Sequence, residues 1–287
     1  MNAMTPIAAE TLTTDSTRFL ERPGGRIAYT DRGAGPLVLM VPGFGDLKEE
    51  YRFLAPALVA AGYRAVTMDI RGHGESSTGW RDHTCAAQGS DVLALIRHLD
   101  AGMATIVGTS MAGGSAVWAA ADAPELVANI VLVSPFARNV PLSFSKALLF
   151  KAVMHTAFVG PWAPAAWGAY YASLYPTAKP ADFAAYKAAL VANLKEPGRM
   201  AALQAMMRTD RSDVEPRLSV VKARTLIVMG TKDPDFDDPA AEARTLAGAL
   251  HGTIALVEGA GHYPQAEMPD ATTPAILDFL ADSKATA

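Results

Sequence analysis

Residues 104–114 read Ala-Thr-Ile-Val-Gly-Thr-Ser-Met-Ala-Gly-Gly. An apolar run, Ala104–Gly108, breaks at Thr109-Ser110 and gives way at once to a helical stretch over Met111–Ala121. A serine on so sharp a strand-to-helix turn has a strained backbone and an exposed Oγ. It needs small neighbours, because the flanking chains pass close to it. Gly108, two positions before, and Ala112, two positions after, meet that demand. The usual pattern has glycine at both places, so Ala112 departs from it by one methyl group. The helix that follows presents its N-terminus to the turn, where its dipole and free N–H groups favour developing negative charge.

Outward from this turn the same alternation recurs. Leu37–Val41 is a buried-strand run ending in Pro42-Gly43-Phe44-Gly45, and Glu50–Ala61 then carries apolar residues at helical spacing up to Gly62. Arg64–Asp69 reads as a strand, Ala86–Leu99 as a helix and Asn129–Val133 as a further strand. Between Phe136 and Asp213 only helical patterns occur: Leu142–His155, Trp162–Leu174, Ala181–Leu194 and Met200–Thr209. Strand Thr225–Met229, helix Pro239–Leu250, strand Thr253–Val257 and a last helix near Thr273–Leu280 resume the alternation. At the start, Phe19–Glu21 and Arg26–Asp31 predict an antiparallel hairpin. Continuous apolar strands alternating with helices predict a parallel α/β sheet covered on both faces. The helical insertion of roughly 75–80 residues is too long for a plain loop. The expected organisation is an N-terminal arm over 1–17, a sheet domain over 18–135 and 214–287, and a helical cap over 136–213.

Composition narrows the function classes. Of 287 residues, 50% are hydrophobic and 19% charged, which excludes a disordered chain. With Lys plus Arg at 25 and Asp plus Glu at 29, no basic footprint for nucleic acid is present. Cys85 is the single cysteine, so no internal disulfide forms, which fits a reducing compartment and a cytoplasmic location. The polar stretch from Met1 to Thr17 lacks the pattern of a secretory signal. Ala152–Ala178 holds no Asp, Glu, Lys or Arg, yet Gly160-Pro161, Pro164, Gly168 and Pro176 interrupt it. It reads as short apolar helices over a pocket, and no membrane association is expected.

A serine hydroxyl is a poor nucleophile until an oriented base takes its proton. His262 lies in Gly259-Ala260-Gly261-His262-Tyr263-Pro264, just after the last apolar strand, and Asp233 lies in Gly230-Thr231-Lys232-Asp233-Pro234, just after the strand before it. Both loops sit at carboxyl ends of parallel strands, the edge where open sheets bind ligands. Asp235, Asp237 and Asp238 compete with Asp233, which is closest to the strand end; the stretch Ser134–Arg138 holds no carboxylate. Asp69, Arg71 and His73 are expected to hold their own loop. His83, His98, His155 and His251 show no metal-ligand spacing, and no H-E-x-x-H, P-loop or G-x-G-x-x-G occurs, so no metal and no cofactor is implied.

With these pieces in place, the sequence resembles the α/β-hydrolase superfamily, specifically its single-domain members with a helical cap, from about Phe19 to Leu280. Val41-Pro42-Gly43-Phe44-Gly45 resembles the family's His-Gly-x turn with Pro42 in place of histidine, and Asp69-Ile70-Arg71-Gly72-His73-Gly74-Glu75-Ser76 resembles its D-x-R-G-x-G-x-S loop. The resemblance implies a mostly parallel eight-stranded sheet with helices on both faces and an all-helical cap after strand 6. It implies Ser110 as nucleophile, His262 as general base then acid, Asp233 as orienting carboxylate, and the backbone N–H groups of Phe44 and Met111 as oxyanion hole. Serine at the elbow argues against the dehalogenase and epoxide hydrolase branches, where the family has aspartate.

The expected activity is cofactor-independent hydrolysis of a small or medium, largely apolar ester, thioester or lactone-type substrate. Alternatives on the same triad are a C–C bond hydrolase or a natural-product tailoring or cyclising enzyme; outside catalysis, a small-molecule binder with little turnover. Phe136, Met154, Phe158, Trp162, Trp167, Tyr170 and Tyr263 are expected around the pocket, although the aromatics of the cap serve equally well as its own core. Lys232, Arg138, Arg208 and Arg211 are candidates for a positive charge near the site that would meet an acidic substrate, with solvated surface the preferred reading of each. Oligomeric state is left open. Activity is expected to fall as His262 becomes protonated, near a reference pKa of about 6.5 unless the site shifts it.

Overall fold

The structure, a computed structural model, describes residues 16–139 and 156–285. The predicted helix over 142–155, Met154 with it, and nearly all of the N-terminal arm lie outside the described residues. Eight strands form one sheet: β1 (Arg18–Arg22), β2 (Gly25–Arg32), β3 (Leu37–Val41), β4 (Arg64–Met68), β5 (Ala104–Thr109), β6 (Val127–Val133), β7 (Arg224–Gly230) and β8 (Thr253–Val257). Their spatial order is β1-β2-β4-β3-β5-β6-β7-β8. The β1–β2 hairpin and the β2–β4 pair are antiparallel, and every other pairing is parallel. All five residues of β3 and all six of β5 are buried, which is why these strands read as unbroken apolar runs. Helices Cys85–Leu99, Met111–Asp122 and Pro239–Leu250 cover one face. Helices Leu54–Ala60 and Pro269–Ala285 cover the other.

β3 lies between β4 and β5, so the chain leaves β3 toward one side and returns on the other. Loops at the carboxyl ends of β3 and β5 therefore diverge and open a crevice between them. Between β6 and β7 the chain leaves the sheet for helices Ala163–Ser173, Phe183–Leu194 and Arg199–Met207. Their aromatic core includes Trp167, Tyr171, Tyr175 and Phe183, and it takes in Leu47 and Tyr263 from the sheet's loops. Polar bonds pin this segment down: Arg52 to Asp182 at 2.6 and 3.0 Å, and Asn193 to the backbone of Gly74 at 3.0 and 3.1 Å. Among the described residues no helix is long and apolar enough to cross a membrane.

The predicted helix over Glu50–Ala61 is split into a 3₁₀ turn, Lys48–Tyr51, and a helix, Leu54–Ala60. The cause is that Lys48 and Glu50 both turn inward and are buried. Lys48 donates to Asp69 through its backbone N–H at 2.8 Å and its Nζ at 3.1 Å, which fixes the turn ahead of the helix. Asp69 also accepts from the Glu75 N–H at 3.0 Å, so it staples its own loop. Arg71 donates to Asp91 at 2.8 Å and to the carbonyls of Asp82 and Ala87. His73 faces the carbonyl of Arg71 at 3.2 Å, and burial pushes its imidazole down to about 4, so it stays neutral.

Asp91 is buried and accepts from Arg22 at 2.9 Å as well as from Arg71. Asp91→Ala leaves the buried Arg71 guanidinium without its counter-charge and is expected to lower stability by about 3–5 kcal/mol. Urea unfolding checks this; a loss under about 1 kcal/mol would show that the carbonyl contacts suffice for Arg71.

Candidate active site

Ser110 sits between β5 and the helix Met111–Asp122 with φ 56° and ψ −123°. A non-glycine residue in that region costs on the order of 1–3 kcal/mol and stays there only when its surroundings fix it. They do. Its N–H donates to the Val133 carbonyl at 2.8 Å, and its own carbonyl accepts from Gly113 at 3.0 Å and Phe136 at 2.9 Å. A Cβ at Gly108 would lie 2.5 Å from the Ala112 carbonyl oxygen, so glycine is required before the serine. After it, the methyl of Ala112 packs into the main core, which explains why alanine fits there. A Cβ on Gly43 would lie 3.0 Å from the Ser110 Cβ, so the Gly43-Phe44 turn after β3 lies directly against the serine.

Asp233 and His262 come together from the loops after β7 and β8. His262 Nδ1 lies 2.8 Å from Asp233 Oδ2 and 3.6 Å from Asp235 Oδ2. An ionised carboxylate only accepts, so Nδ1 carries the proton and Nε2 holds the lone pair of the neutral ring. The loop is clamped from both sides. A Cβ at Gly230 would collide with the Gly261 carbonyl oxygen, and the His262 N–H donates to the Leu174 carbonyl at 3.0 Å. Burial alone would lower the affinity of His262 for a proton. Asp233 and Asp235 outweigh it, and the imidazole is raised to about 9 rather than the expected 6.5.

Ser110 and His262 line one small cavity together with Phe44, Trp167, Tyr170, Leu174, Asp235 and Tyr263. Its volume is about 10 Å³, room for roughly one water molecule. Of the residues expected around the pocket, Trp167, Tyr170 and Tyr263 form its wall. Phe158 lies behind them, its ring 5.4 Å from Trp167 and 6.2 Å from Tyr170. Phe136 backs His262 at 5.9 Å and stacks on Phe236. Trp162 is 58% exposed, away from the cavity, and its Nε1 donates to the Thr156 carbonyl. Sequence reasoning missed Leu174, although it stands seven residues from Trp167 on one helical face. A larger hollow of about 510 Å³ at the amino ends of the strands is flanked by Arg18 and Arg64, both paired with Asp31, and it holds no nucleophile.

Beneath the site two further acids are fully buried, Asp46 and Glu50. Glu50 accepts from the Gly43 N–H at 3.4 Å and from the Gln265 amide, which also lies 3.4 Å from Thr109 Oγ1. It thereby ties the turn after β3 to the elbow and to the helix that follows His262. Burial, reinforced by each carboxyl's neighbour in the case of Glu50, raises both acids above the usual carboxylate range. Among the described residues, Asp233, Asp235 and His262 bring possible metal-ligand atoms within 4.8 Å of one another. All three are already engaged: Asp233 with His262, and Asp235 with the Tyr170 hydroxyl.

A family model described as alpha/beta hydrolase fold matches residues 36–269. A Mycobacterium tuberculosis protein, provisionally named non-heme bromoperoxidase BpoC, is 30% identical over 270 residues, covering 90% of this chain and 99% of that protein. The 2-(acetamidomethylene)succinate hydrolase of Mesorhizobium japonicum is 29% identical over 273 residues, covering 89% of this chain and 92% of that enzyme. Among solved structures, a bromoperoxidase from Bacillus anthracis superposes with a TM-score of 0.79 at 21% identity, covering 93% of this chain and all of that one. The last likeness is one of fold.

Because His262 is held at about 9, above its unfolded value, it contributes stability that is full below about pH 6.5 and is lost as pH rises through 9. The contribution is on the order of 3 kcal/mol. Urea unfolding at pH 6 and pH 10 is expected to show a steeper loss for the wild type than for His262→Gln. Parallel pH curves for the two proteins would refute the shift.

Proposed function

The chain belongs to the alpha/beta hydrolase fold family, and we propose that within it this protein is a cofactor-independent serine hydrolase acting on a carbonyl substrate through Ser110, His262 and Asp233. The observation that carries the reading is that a backbone-strained Ser110 opens into the same cavity as the buried His262–Asp233 pair. In this reading Ser110 Oγ attacks the carbonyl carbon while His262 Nε2 takes its proton. Asp233, on Nδ1, fixes the tautomer and stabilises the imidazolium that forms. The N–H groups of Phe44 and Met111 meet the oxyanion, each lowering the barrier by roughly 3–4 kcal/mol. His262 then gives its proton to the leaving group, and a water activated by the same ring releases the acyl group from Ser110.

Aromatic and aliphatic side chains supply most of the cavity wall, which supports a compact, largely apolar acyl group. The relative from Mesorhizobium is named for a succinate, a carboxylate-bearing substrate. No Lys or Arg stands among the described residues of this wall to meet one.

Intact-protein mass after brief exposure to a fluorophosphonate tests the nucleophile. One adduct is expected on the wild type and none on Ser110→Ala, whose turnover of an activated ester should fall on the order of 10⁶-fold. An adduct retained by Ser110→Ala sinks the assignment. With His262 held at about 9, kcat/KM is expected to keep rising from pH 7 to 9, because only the neutral ring accepts the serine proton. A profile already flat at pH 7 would show that the ring is not held near 9.

A further inference from the structure

Asp235 stands in the cavity wall beside Ser110 and His262, and the triad has no use for it. It follows Asp233 by two residues, and its N–H donates to Asp233 Oδ1 at 3.0 Å. Asp233 lies 2.8 Å from His262 Nδ1 and Asp235 3.6 Å from it. Asp235 also faces Tyr170, whose hydroxyl lies 2.7 and 2.8 Å from its two oxygens. Burial, with the neighbouring Asp233, raises the Asp235 carboxyl above its usual range, while His262 and the Tyr170 hydroxyl favour its ionised form.

The charges around the cavity do not cancel. His262 carries at most one positive charge, and Asp233 faces it at 2.8 Å, so Asp235, when ionised, leaves the wall with a surplus negative charge. Among the described residues, the Lys and Arg side chains considered for the site are committed or solvated. Arg138 is bound to Glu242, Arg52 to Asp182 and Arg211 to the Phe136 carbonyl, while Lys232 and Arg208 are exposed. In a cavity with so little room for water, like charges are poorly screened. A carboxylate brought beside Ser110 would lose its hydration and meet Asp235 instead of a cation.

We propose that Asp235, held in place by Tyr170, is a specificity-determining residue that excludes carboxylate-bearing substrates, so that the group accepted beside Ser110 is neutral or cationic. The oxygens of Asp235 keep lone pairs that Tyr170 does not use, and an amide, hydroxyl or ammonium on the substrate can donate to them. In its kinetic form the inference rests on Ser110 being the nucleophile; in its binding form it does not.

Two esters of similar size separate charge from shape: 4-nitrophenyl valerate and the 4-nitrophenyl half-ester of succinate. At pH 7.5 the wild type is expected to favour the valerate, and Asp235→Asn to narrow the kcat/KM ratio on the order of tenfold. Asp235→Glu should keep the preference. A purely structural role would lower both substrates together and leave the ratio where it was, and that result overturns the proposal. Calorimetric binding of valerate and valeramide to Ser110→Ala, with and without Asp235→Asn, reads the same selectivity without turnover. A gain in valerate affinity relative to the amide, again on the order of tenfold, supports the role of Asp235 even if neither ester is hydrolysed, in which case the hydrolase reading alone fails. An unchanged affinity ratio rejects it whatever the esters do.

Discussion

Ser110 is held at φ 56° by three backbone hydrogen bonds, and each comes from a different part of the chain. Val133 ends β6, Gly113 belongs to the following helix, and Phe136 lies beyond β6. The strained turn is thus stable only because β5 and β6 lie side by side in register. On the other flank β3 brings Gly43 against the serine, so the turn expected to supply the oxyanion donor is placed by sheet order and not by its own sequence. Substituting Pro42 for the histidine usual at that turn is tolerated on these grounds. The constraint lies in the missing Cβ of Gly43 and in the Glu50 carboxyl that accepts its N–H.

The second organising feature is electrostatic. Asp233, Asp235 and Asp46 all act on one imidazole, with Glu50 buried nearby beside Asp46, and burial works against the charged forms of Asp46, Glu50, Asp235 and the imidazole. Where a donor stands nearby, the site relaxes: burial raises Asp46, burial and the neighbouring Asp46 raise Glu50, while Tyr186 donates to Asp46 and Gln265 to Glu50. His262 is the exception, because the two aspartates on its Nδ1 side overcome the burial that would discharge it. A base raised in this way is weakly populated at neutral pH but intrinsically stronger when neutral, the trade set by Brønsted behaviour.

Much of this was legible in the sequence, and the rest was hidden for identifiable reasons. Strand limits were readable because β3 and β5–β7 are apolar on both faces, and Pro239–Leu250 and Thr253–Val257 fall at their predicted bounds. The stretch Asp46-Leu47-Lys48-Glu49-Glu50 misled for the opposite reason. Its charges look like a solvated helix start, yet Asp46, Lys48 and Glu50 are all buried by partners far along the chain: Tyr186, Asp69 and Gln265. Nothing local announces such partners. Trp162 and Trp167 illustrate a second limit. Both are tryptophans of one segment that is apolar nearly all round, and only tertiary packing sends one to solvent and the other to the cavity. Asp233 and Asp235 are two residues apart after the same strand, so spacing alone ranks them without saying that both reach His262.

Helix Ala163–Ser173 joins these threads. Trp167, Tyr170, Tyr171 and Leu174 follow the spacing i, i+3, i+4 and i+7, which places them on one stripe. Between them they touch three loops of the site. Trp167 donates to the Gly45 carbonyl at 2.9 Å, beside the turn after β3. Tyr170 holds Asp235 beyond β7, and Tyr171 packs its ring 5.1 Å from Tyr263 beyond β8. Leu174 offers its carbonyl to the backbone of His262. The stripe that lines the cavity is therefore also the brace against Asp235, the His262–Tyr263 loop and the turn after β3. A side chain on this face cannot be reshaped to admit a different substrate without moving one of the groups that would act on it.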